Sequence, residues 1–485
     1  MGEIGDMRVL LVQPGLGKGF GLRQLSLVEP LGLETVGGAL VGKHEVLLLD
    51  MRLEDDLSAT LKQFNPDLCG ISCSFTLDVS RALEIAIRIK AASEGRQPFV
   101  VVGGHHASLS PGDFNHPAVD AIVVGEGEAT MAELARRLEE GGELRAVPGL
   151  VLNQEGGHVS TGTRPLTENL DDLPLPARHL AERYAGSYYA FGEKPMAMVE
   201  TARGCENRCH FCSVWHFYRG RRRVKSPQRV VEEVLAVKAP YILFTDDNFL
   251  GDVERARQIA ELLLERGVHF RCAIQARSDS IVEHTDVLKL WRQVGLVGVF
   301  VGVEKIDDAG LSQVRKGNSA ANNERALEIL HREGIGVTAS FIVDPSWEHR
   351  DFAALRRYVA EKRIQTPSFT VLTPLPGTVL HRELGSQVNT HDCELFDLLH
   401  AVLPTRLSLA EFYRELAATY RSAYPWHRVL MEGLRSLPSR TDGAKPDLLH
   451  LWRLTQIYRT LTRAESFLAG HRETAAQIKA SSRSS

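Results

Sequence analysis

Short runs of consecutive apolar residues alternate along most of this chain with stretches whose apolar positions recur every three or four residues. The first pattern marks buried strands and the second amphipathic helices. Over residues 1–150 the runs Arg8–Val12, Glu45–Asp50, Leu68–Cys73, Phe99–Val102 and Ala121–Val124 read as strands. Helical patterns separate them at Leu31–Val41, Leu57–Phe64, Arg81–Ala92 and Thr130–Glu139. Strict strand–helix alternation predicts an α/β domain, a doubly wound, Rossmann-like parallel sheet of about five strands. Ligands of such sheets bind beyond the carboxyl ends of the strands. Gln13-Pro14, Ser72-Cys73-Ser74, Gly103-Gly104-His105-His106 and Gly125-Glu126 fall at those ends, with Gly15, Gly17, Gly19 and Gly21 in the first loop.

Residues 151–195 predict a hairpin, Val151–His158, then a linker with two prolines, Leu170–Ala177, and the packing aromatics Tyr184, Tyr188, Tyr189 and Phe191. Over residues 196–378 alternation resumes, with strands at Met196–Glu200, Tyr241–Thr245, Phe270–Gln275, Gly298–Glu304, Gly336–Val343 and Ser368–Leu372. Helices are predicted at Pro227–Ala236, Val253–Arg266, Thr285–Val294, Asn322–Glu333 and Asp351–Lys362. Six β/α units suggest a partial (β/α)6 barrel, whose chemistry belongs at the C-terminal strand ends. Cys205, Asp246-Asp247-Asn248, Arg277, Glu304 and Thr373–Gly377 all fall there. Residues 379–485 turn helical, at Asp392–Leu403, Leu409–Tyr424 and Leu448–Ala469, with a loop at Ser436–Asp447 and a frayed tail at Ala480–Ser485. These helices are expected to cap the barrel mouth.

Composition narrows the classes. A formal net charge of −4 gives no global basic field for nucleic acid or an anionic membrane. No apolar run is long enough for a membrane span, and the N-terminus lacks a signal peptide's basic and apolar regions. Seven cysteines, three of them clustered, make no disulfide framework, and a cytoplasmic protein is expected.

Those three, Cys205, Cys209 and Cys212, stand at C-x3-C-x2-C spacing in Gly204-Cys-Glu-Asn-Arg-Cys-His-Phe-Cys212. Three thiolates on one loop can hold three irons of a 4Fe–4S cluster and leave the fourth open. Zinc competes, with His210 or His216 as fourth ligand. The run Arg219-Gly-Arg-Arg-Arg-Val-Lys225 reads as a solvated charge run, or as a contact for an anionic group.

The cysteine motif on this barrel, with Phe211 before the last cysteine, resembles the radical S-adenosylmethionine superfamily. Gly103-Gly104 and Gly125-Glu-Gly-Glu128 resemble the cobalamin-binding domain attached to many of its members. The whole chain resembles the cobalamin-dependent (class B) radical S-adenosylmethionine methyltransferases, and its C-terminal half looks most like the hopanoid C-3 methylases. That likeness rests on Ser340–Glu348 and Phe369–Gly377.

The resemblance implies a 4Fe–4S cluster, S-adenosylmethionine and cobalamin as cofactors. One S-adenosylmethionine methylates cobalamin. The other yields a 5′-deoxyadenosyl radical that takes hydrogen from an unactivated carbon of a small molecule or lipid, and this carbon then receives the methyl group. An electron donor such as flavodoxin or ferredoxin is implied, and no side chain is assigned an acid–base step. The resemblance places cobalamin against Gln13, Ser72, Ser74, Gly103, Gly104, His105, Gly125 and Glu126. It places S-adenosylmethionine against Asp246, Asp247, Asn248, Arg277 and Glu304, with Arg277 pairing its carboxylate. Two departures matter. No Asp-x-His-x-x-Gly supplies a cobalt-ligating histidine, and Asp246-Asp-Asn248 replaces the common Gly-Gly-Glu. Two alternatives remain: a non-methylating relative such as an anaerobic porphyrin-ring cyclase, and a cobalamin-sensing or zinc-stabilised regulatory module.

Overall fold

In the computed structural model, which describes residues 7–17, 26–92, 97–154, 157–190, 192–427 and 448–471, the predicted runs pair into two parallel sheets. Gly19, Gly21, Phe191, the loop 436–447 and the tail 480–485 lie outside the described residues. The first sheet holds β1 (Arg8–Gln13), β2 (Glu45–Asp50), β3 (Leu68–Ser72), β4 (Phe99–Gly103), β5 (Ala121–Val123), β6 (Leu150–Gln154) and β7 (Gly157–Ser160). Its order is β2-β1-β3-β4-β5-β6-β7. The first five strands are parallel, as expected, and the predicted hairpin β6–β7 extends the sheet antiparallel to them.

Side chains alternate between its two faces. Val9, Leu11 and Val101 pack with Leu33, Leu40, Met131 and Leu134 from the helices Leu31–Leu40 and Gly127–Glu140. Leu10, Val12, Val100 and Val102 pack with Leu57, Leu61, Ile85 and Ile89 from Leu57–Phe64 and Val79–Ala92. Both faces being covered, the strands read as unbroken apolar runs.

The second half begins with β8 (Met196–Val199). A short antiparallel ribbon follows, β9 (Ala202–Arg203) against β10 (Arg223–Val224). Next come β11 (Tyr241–Phe244), β12 (Arg271–Ala276), β13 (Leu296–Glu304), β14 (Gly336–Val343) and β15 (Thr366–Val371). Six strands form the expected partial barrel, ordered β8-β11-β12-β13-β14-β15 and parallel throughout. The ribbon leaves no periodic signature, and the sequence does not predict it.

Two expectations about the C-terminal region are corrected. Asp392–Leu403 is not a helix: only Cys393–Leu395 makes a single 3-10 turn. The Asp397 carboxylate takes the amides of Leu399 and His400, both at 2.9 Å, so side-chain bonding displaces the helical pattern. Leu398 is left-handed (φ +64°), and its carbonyl accepts from Val371 N at 2.7 Å, beside the end of β15. Nor does the helix Leu409–Ala423 cap the mouth. It lies along the free edge of β15, where the Tyr420 and Tyr424 hydroxyls donate to the carbonyls of Phe369 and Pro367. Covering an exposed strand edge is a common structural use for such a helix. The predicted Leu448–Ala469 helix divides into Leu448–Leu461 and further helical turns over 464–471. Among the described residues no helix is long and apolar enough to cross a membrane.

Candidate active site

The carboxyl ends of the two sheets meet. Arg203, on the ribbon leading to the cysteines, donates to Glu126 at 2.9 Å and Glu128 at 2.6 Å beyond β5, and to Glu200 at 2.7 Å. Arg223 adds two bonds to Glu126, each 2.9 Å. His105, beyond β4, lies 2.8 Å through Nε2 from Ser213 Oγ, directly after Cys212. Gly377, beyond β15, rests on Leu109, which a Cβ there would approach to 3.0 Å.

The cysteine loop is built by its neighbours. Asp246 accepts from Thr201 N at 2.7 Å, from Thr201 Oγ1 and from Ala202 N at 3.1 Å, tying the chain before the cysteines to the end of β11. Gly204 (φ +87°) must be glycine, because a Cβ would collide with the Arg221 carbonyl and the Tyr218 side chain. His210 N bonds Val314 O, and Leu380 N bonds His210 O, both at 3.1 Å. Cys209 is buried, and Cys205 and Cys212 are half-buried.

Burial raises the pKa of Cys209 against the opposing pull of Lys316 and Arg277. Burial also pushes Cys212 up to about 12, with the charges of Cys209, Asp247 and Cys205 adding to the rise. Three cysteine thiols on one loop, with Lys316 and Arg277 beside Cys209, form a donor set that binds iron as thiolates once their protons are released, and it fits a cluster. Of the two histidines open to the zinc alternative, His210 is engaged elsewhere, while His216 Nε2 meets no hydrogen-bond partner among the described residues. His210 Nε2 is bonded to Glu383 at 2.7 Å, and among the described residues no three His, Cys, Asp or Glu side chains converge on one metal ion.

Around the loop the predicted residues divide into two groups. Asp247 is solvent-exposed, yet desolvation by surrounding protein and the charges of Asp246 and Glu200 raise it to about 7. Glu304 sits at a bulge in the β13–β14 register, left-handed at φ +64°, and accepts from Lys316 Nζ at 2.8 Å. Strained non-glycine backbone of this kind gathers at functional sites.

The other group is committed to structure. Asp246 is consumed by the cysteine-loop amides. Arg277 reaches the cysteine neighbourhood, but its fork is held by Asp279 and the carbonyls of Lys316 and Gly317, so it is not free for bidentate pairing. The Asn248 carboxamide accepts from Arg277 N at 3.3 Å.

At the cobalamin-type sheet, Gln13 is buried. Gly104 (φ +118°) is required because a Cβ would stand 2.7 Å from the Cys73 carbonyl, a packing reason independent of any ligand. Gly103 packs on Val123, whereas Gly125 (φ +93°) has open space where its Cβ would be. Among the described residues the half-buried Ser72 and Ser74 hydroxyls meet no hydrogen-bond partner. Open space and unpartnered hydroxyls at the strand ends fit a flat polar-edged cofactor. Glu126 is corrected from cofactor ligand to interdomain pin, since Arg203, Arg223 and Thr167 N occupy it. His106 cannot ligate cobalt, because its nitrogens bond Thr76 and Asp113.

The basic run is corrected too. Arg221 pairs with Glu168, Arg223 with Glu126 and Lys225 with Glu233, so most of its charge is neutralised internally. Arg203, Lys316 and Ser213 were not singled out in the sequence, and Glu128 stood there only within the Gly125-Glu-Gly-Glu128 motif, with no sign of its partner.

A doubly wound sheet facing a three-cysteine loop at the mouth of a partial barrel defines a radical S-adenosylmethionine enzyme with a cobalamin domain. The B12 binding domain model matches residues 20–135, and the Radical SAM superfamily model matches residues 199–359. The chain is 34% identical over 457 residues to hopanoid C-3 methylase of Methylococcus capsulatus, covering 92% of this chain and 86% of that one. It is 27% identical to the anaerobic magnesium-protoporphyrin IX monomethyl ester cyclase of Rubrivivax gelatinosus, over 86% of this chain and 77% of that one.

Two solved structures share the fold. The radical S-adenosylmethionine methyltransferase TsrM from Kitasatospora setae, with cobalamin and a 4Fe–4S cluster bound, has TM-score 0.67 at 18% identity, covering 97% of this chain and all of that one (100%). The cobalamin-dependent enzyme OxsB with aqua-cobalamin has TM-score 0.71 at 18% identity, covering 96% and 75%. The chain belongs to the cobalamin-dependent radical S-adenosylmethionine methyltransferase family. Its cofactors are a 4Fe–4S cluster, S-adenosylmethionine and cobalamin.

Proposed function

We propose that this enzyme methylates C-3 of a hopanoid. The observation that carries this reading is the 34% identity to a hopanoid C-3 methylase across 92% of the chain. When bound, the cofactors supply a carbon-centred radical and a transferable methyl group, and the protein places them and excludes water.

Cys205, Cys209 and Cys212 hold the cluster in this reading. Asp247 meets the ammonium of S-adenosylmethionine, with Asn248 and the Glu304–Lys316 pair shaping the same mouth. Ser72, Ser74 and the Gly103-Gly104 and Gly125 turns receive cobalamin beyond Gln13, while Asp246, Arg277 and Glu126 hold these elements in place. Domain limits at residues 1–150, 151–195, 196–378 and 379–485 belong to the same reading, as do an electron donor of flavodoxin or ferredoxin type and a cytoplasmic setting.

The test is anaerobic reconstitution with S-adenosylmethionine, cobalamin, reductant and a hopanoid. A C-3 methylated product with 5′-deoxyadenosine is expected. An unchanged hopanoid while 5′-deoxyadenosine forms overturns the substrate. The cyclase relatives favour a second reading, oxidative ring closure on a porphyrin. Labelled methyl from S-adenosylmethionine appearing in the product separates the two.

A further inference from the structure

His105 stands on one side of the boundary between the sheets and is bonded to the other. The Gly104 turn directs it off the end of β4, at the start of the short helix His105–Leu109. That helix is fixed to the sheet by Ser108. Its Oγ donates to Gly104 O at 2.7 Å and accepts from Gly125 N at 2.9 Å, joining the two glycine turns.

From this base the imidazole crosses to the barrel half. Nε2 lies 2.8 Å from Ser213 Oγ, and the ring stacks on Phe217 with centroids 4.7 Å apart and planes 22° apart. Ser213 follows Cys212 and precedes the turn Val214–Phe217, so both contacts fall on the short segment that continues from the third cysteine. Leu109, at the far end of the same helix, supports Gly377 of the last barrel loop. The helix is thus registered on the barrel at both ends. Burial lowers His105 to about 4, so the ring is neutral and adds no charge between the halves.

We propose that His105 is a positioning residue that sets the separation and orientation of cobalamin relative to the iron–sulfur cluster. It acts through the Ser213 hydroxyl and the Phe217 ring rather than as a cobalt ligand. The inference rests on the placement of cobalamin at the glycine turns and of the cluster on the three cysteines. Methyl transfer between separately bound cofactors depends on geometry held within a fraction of an ångström, so a contact joining their seats governs more than stability.

The test uses the full chain reconstituted with cluster and cob(II)alamin, and needs no hopanoid. Pulsed EPR measures the dipolar coupling between the reduced cluster and cob(II)alamin in wild type, His105→Gln, Ser213→Ala and the double variant. Unchanged iron and cobalamin content is expected, with the distance distribution shifted and broadened in both single variants and no further in the double. Ser213→Ala provides the test from the barrel side if the histidine variant fails to fold. A wild-type distribution in the loaded single variants overturns the proposal. So does loss of cobalamin from His105→Gln alone, which makes the residue a cobalamin ligand. Failure of the underlying site reading is distinct: the wild type itself then shows no coupled cluster and cob(II)alamin signals.

Discussion

Replacing Arg203 with methionine removes the main electrostatic pin between the two sheets while keeping the length of the side chain. Arg203, Glu126 and Glu128 each keep only 7% side-chain exposure, so solvent screening discounts little of their interaction. Two charge-assisted bonds to buried carboxylates contribute about 1.5–3 kcal/mol each. The third, to Glu200 with its side chain 24% exposed, contributes less. Glu126 keeps Arg223 and Thr167 N, but the ion pair of Glu128 is lost. Breaking a buried network from one side costs about 3–5 kcal/mol, which overlaps the bond sum of about 3–6 kcal/mol.

Urea denaturation, which does not screen charges, followed by tryptophan fluorescence and by cluster absorbance, reads the loss. Arg203→Met is expected to fall in that range, and Glu128→Gln below it because Arg203 then retains two carboxylates. The double variant is expected to cost less than the sum. A loss below about 1 kcal/mol for Arg203→Met refutes the view that the buried pin holds the sheets together.

Gly204→Ala forces a Cβ into the Arg221 carbonyl at a left-handed position, and iron and sulfide analysis is expected to show loss of the cluster. Burial, and then the charge of Glu29, raise Glu34 to about 8, with Arg178, Glu233 and Asp50 also facing it. The folded state therefore holds a proton that the unfolded chain releases near the ordinary carboxyl value. Stability is expected to fall as pH rises from about 4.5 towards about 8, and Glu34→Gln to flatten that fall in thermal melts across pH. In the proposed placement Asp247, at about 7, meets the ammonium of S-adenosylmethionine only as a carboxylate. Affinity for S-adenosylmethionine, measured by calorimetry, is expected to weaken up to about tenfold per pH unit below that value, and Asp247→Asn to remove the dependence. Lys316→Met deletes a cation beside Cys209 and leaves Glu304 unpaired, so the cluster midpoint potential is expected to become more negative in redox titration.

The sequence made the two sheets legible because parallel strands buried on both faces are unbroken apolar runs, and the helices between them keep a clean period. It also located the three cysteines and, to within a residue or two, the carboxyl ends of the parallel strands. It missed what depends on distant partners. The Arg219–Lys225 run looked solvated because Glu126, Glu168 and Glu233, which neutralise it, come from other elements. Arg203 looked like part of a turn because Glu128 lies 75 positions away. The Asp392–Leu403 error has a local cause: Leu395, Leu399 and Val402 have helical spacing, but Asp397 captures the amides a helix would use.

A common physical rule separates site from scaffold at this interface. Strand-end residues with charged side chains are satisfied within the protein: Asp246 by Thr201 and Ala202, Arg277 by Asp279 and the carbonyls of Lys316 and Gly317, and Glu126 by Arg203 and Arg223. In doing so they tie the ends of β5, β8, β11 and β12 to one another. What they leave over is small or under-compensated: the three cysteine thiols, the Asp247 carboxyl without an ion pair among the described residues, and the Ser72 and Ser74 hydroxyls. Buried or half-buried polar groups without partners cost free energy unless something binds them. The groups left with spare bonding capacity stand on both sides of the His105–Ser213 contact, on the cysteine loop and at the strand ends of the first sheet. That distribution of unmet bonding capacity supports the proposed placement of the two cofactors on either side of one hydrogen bond.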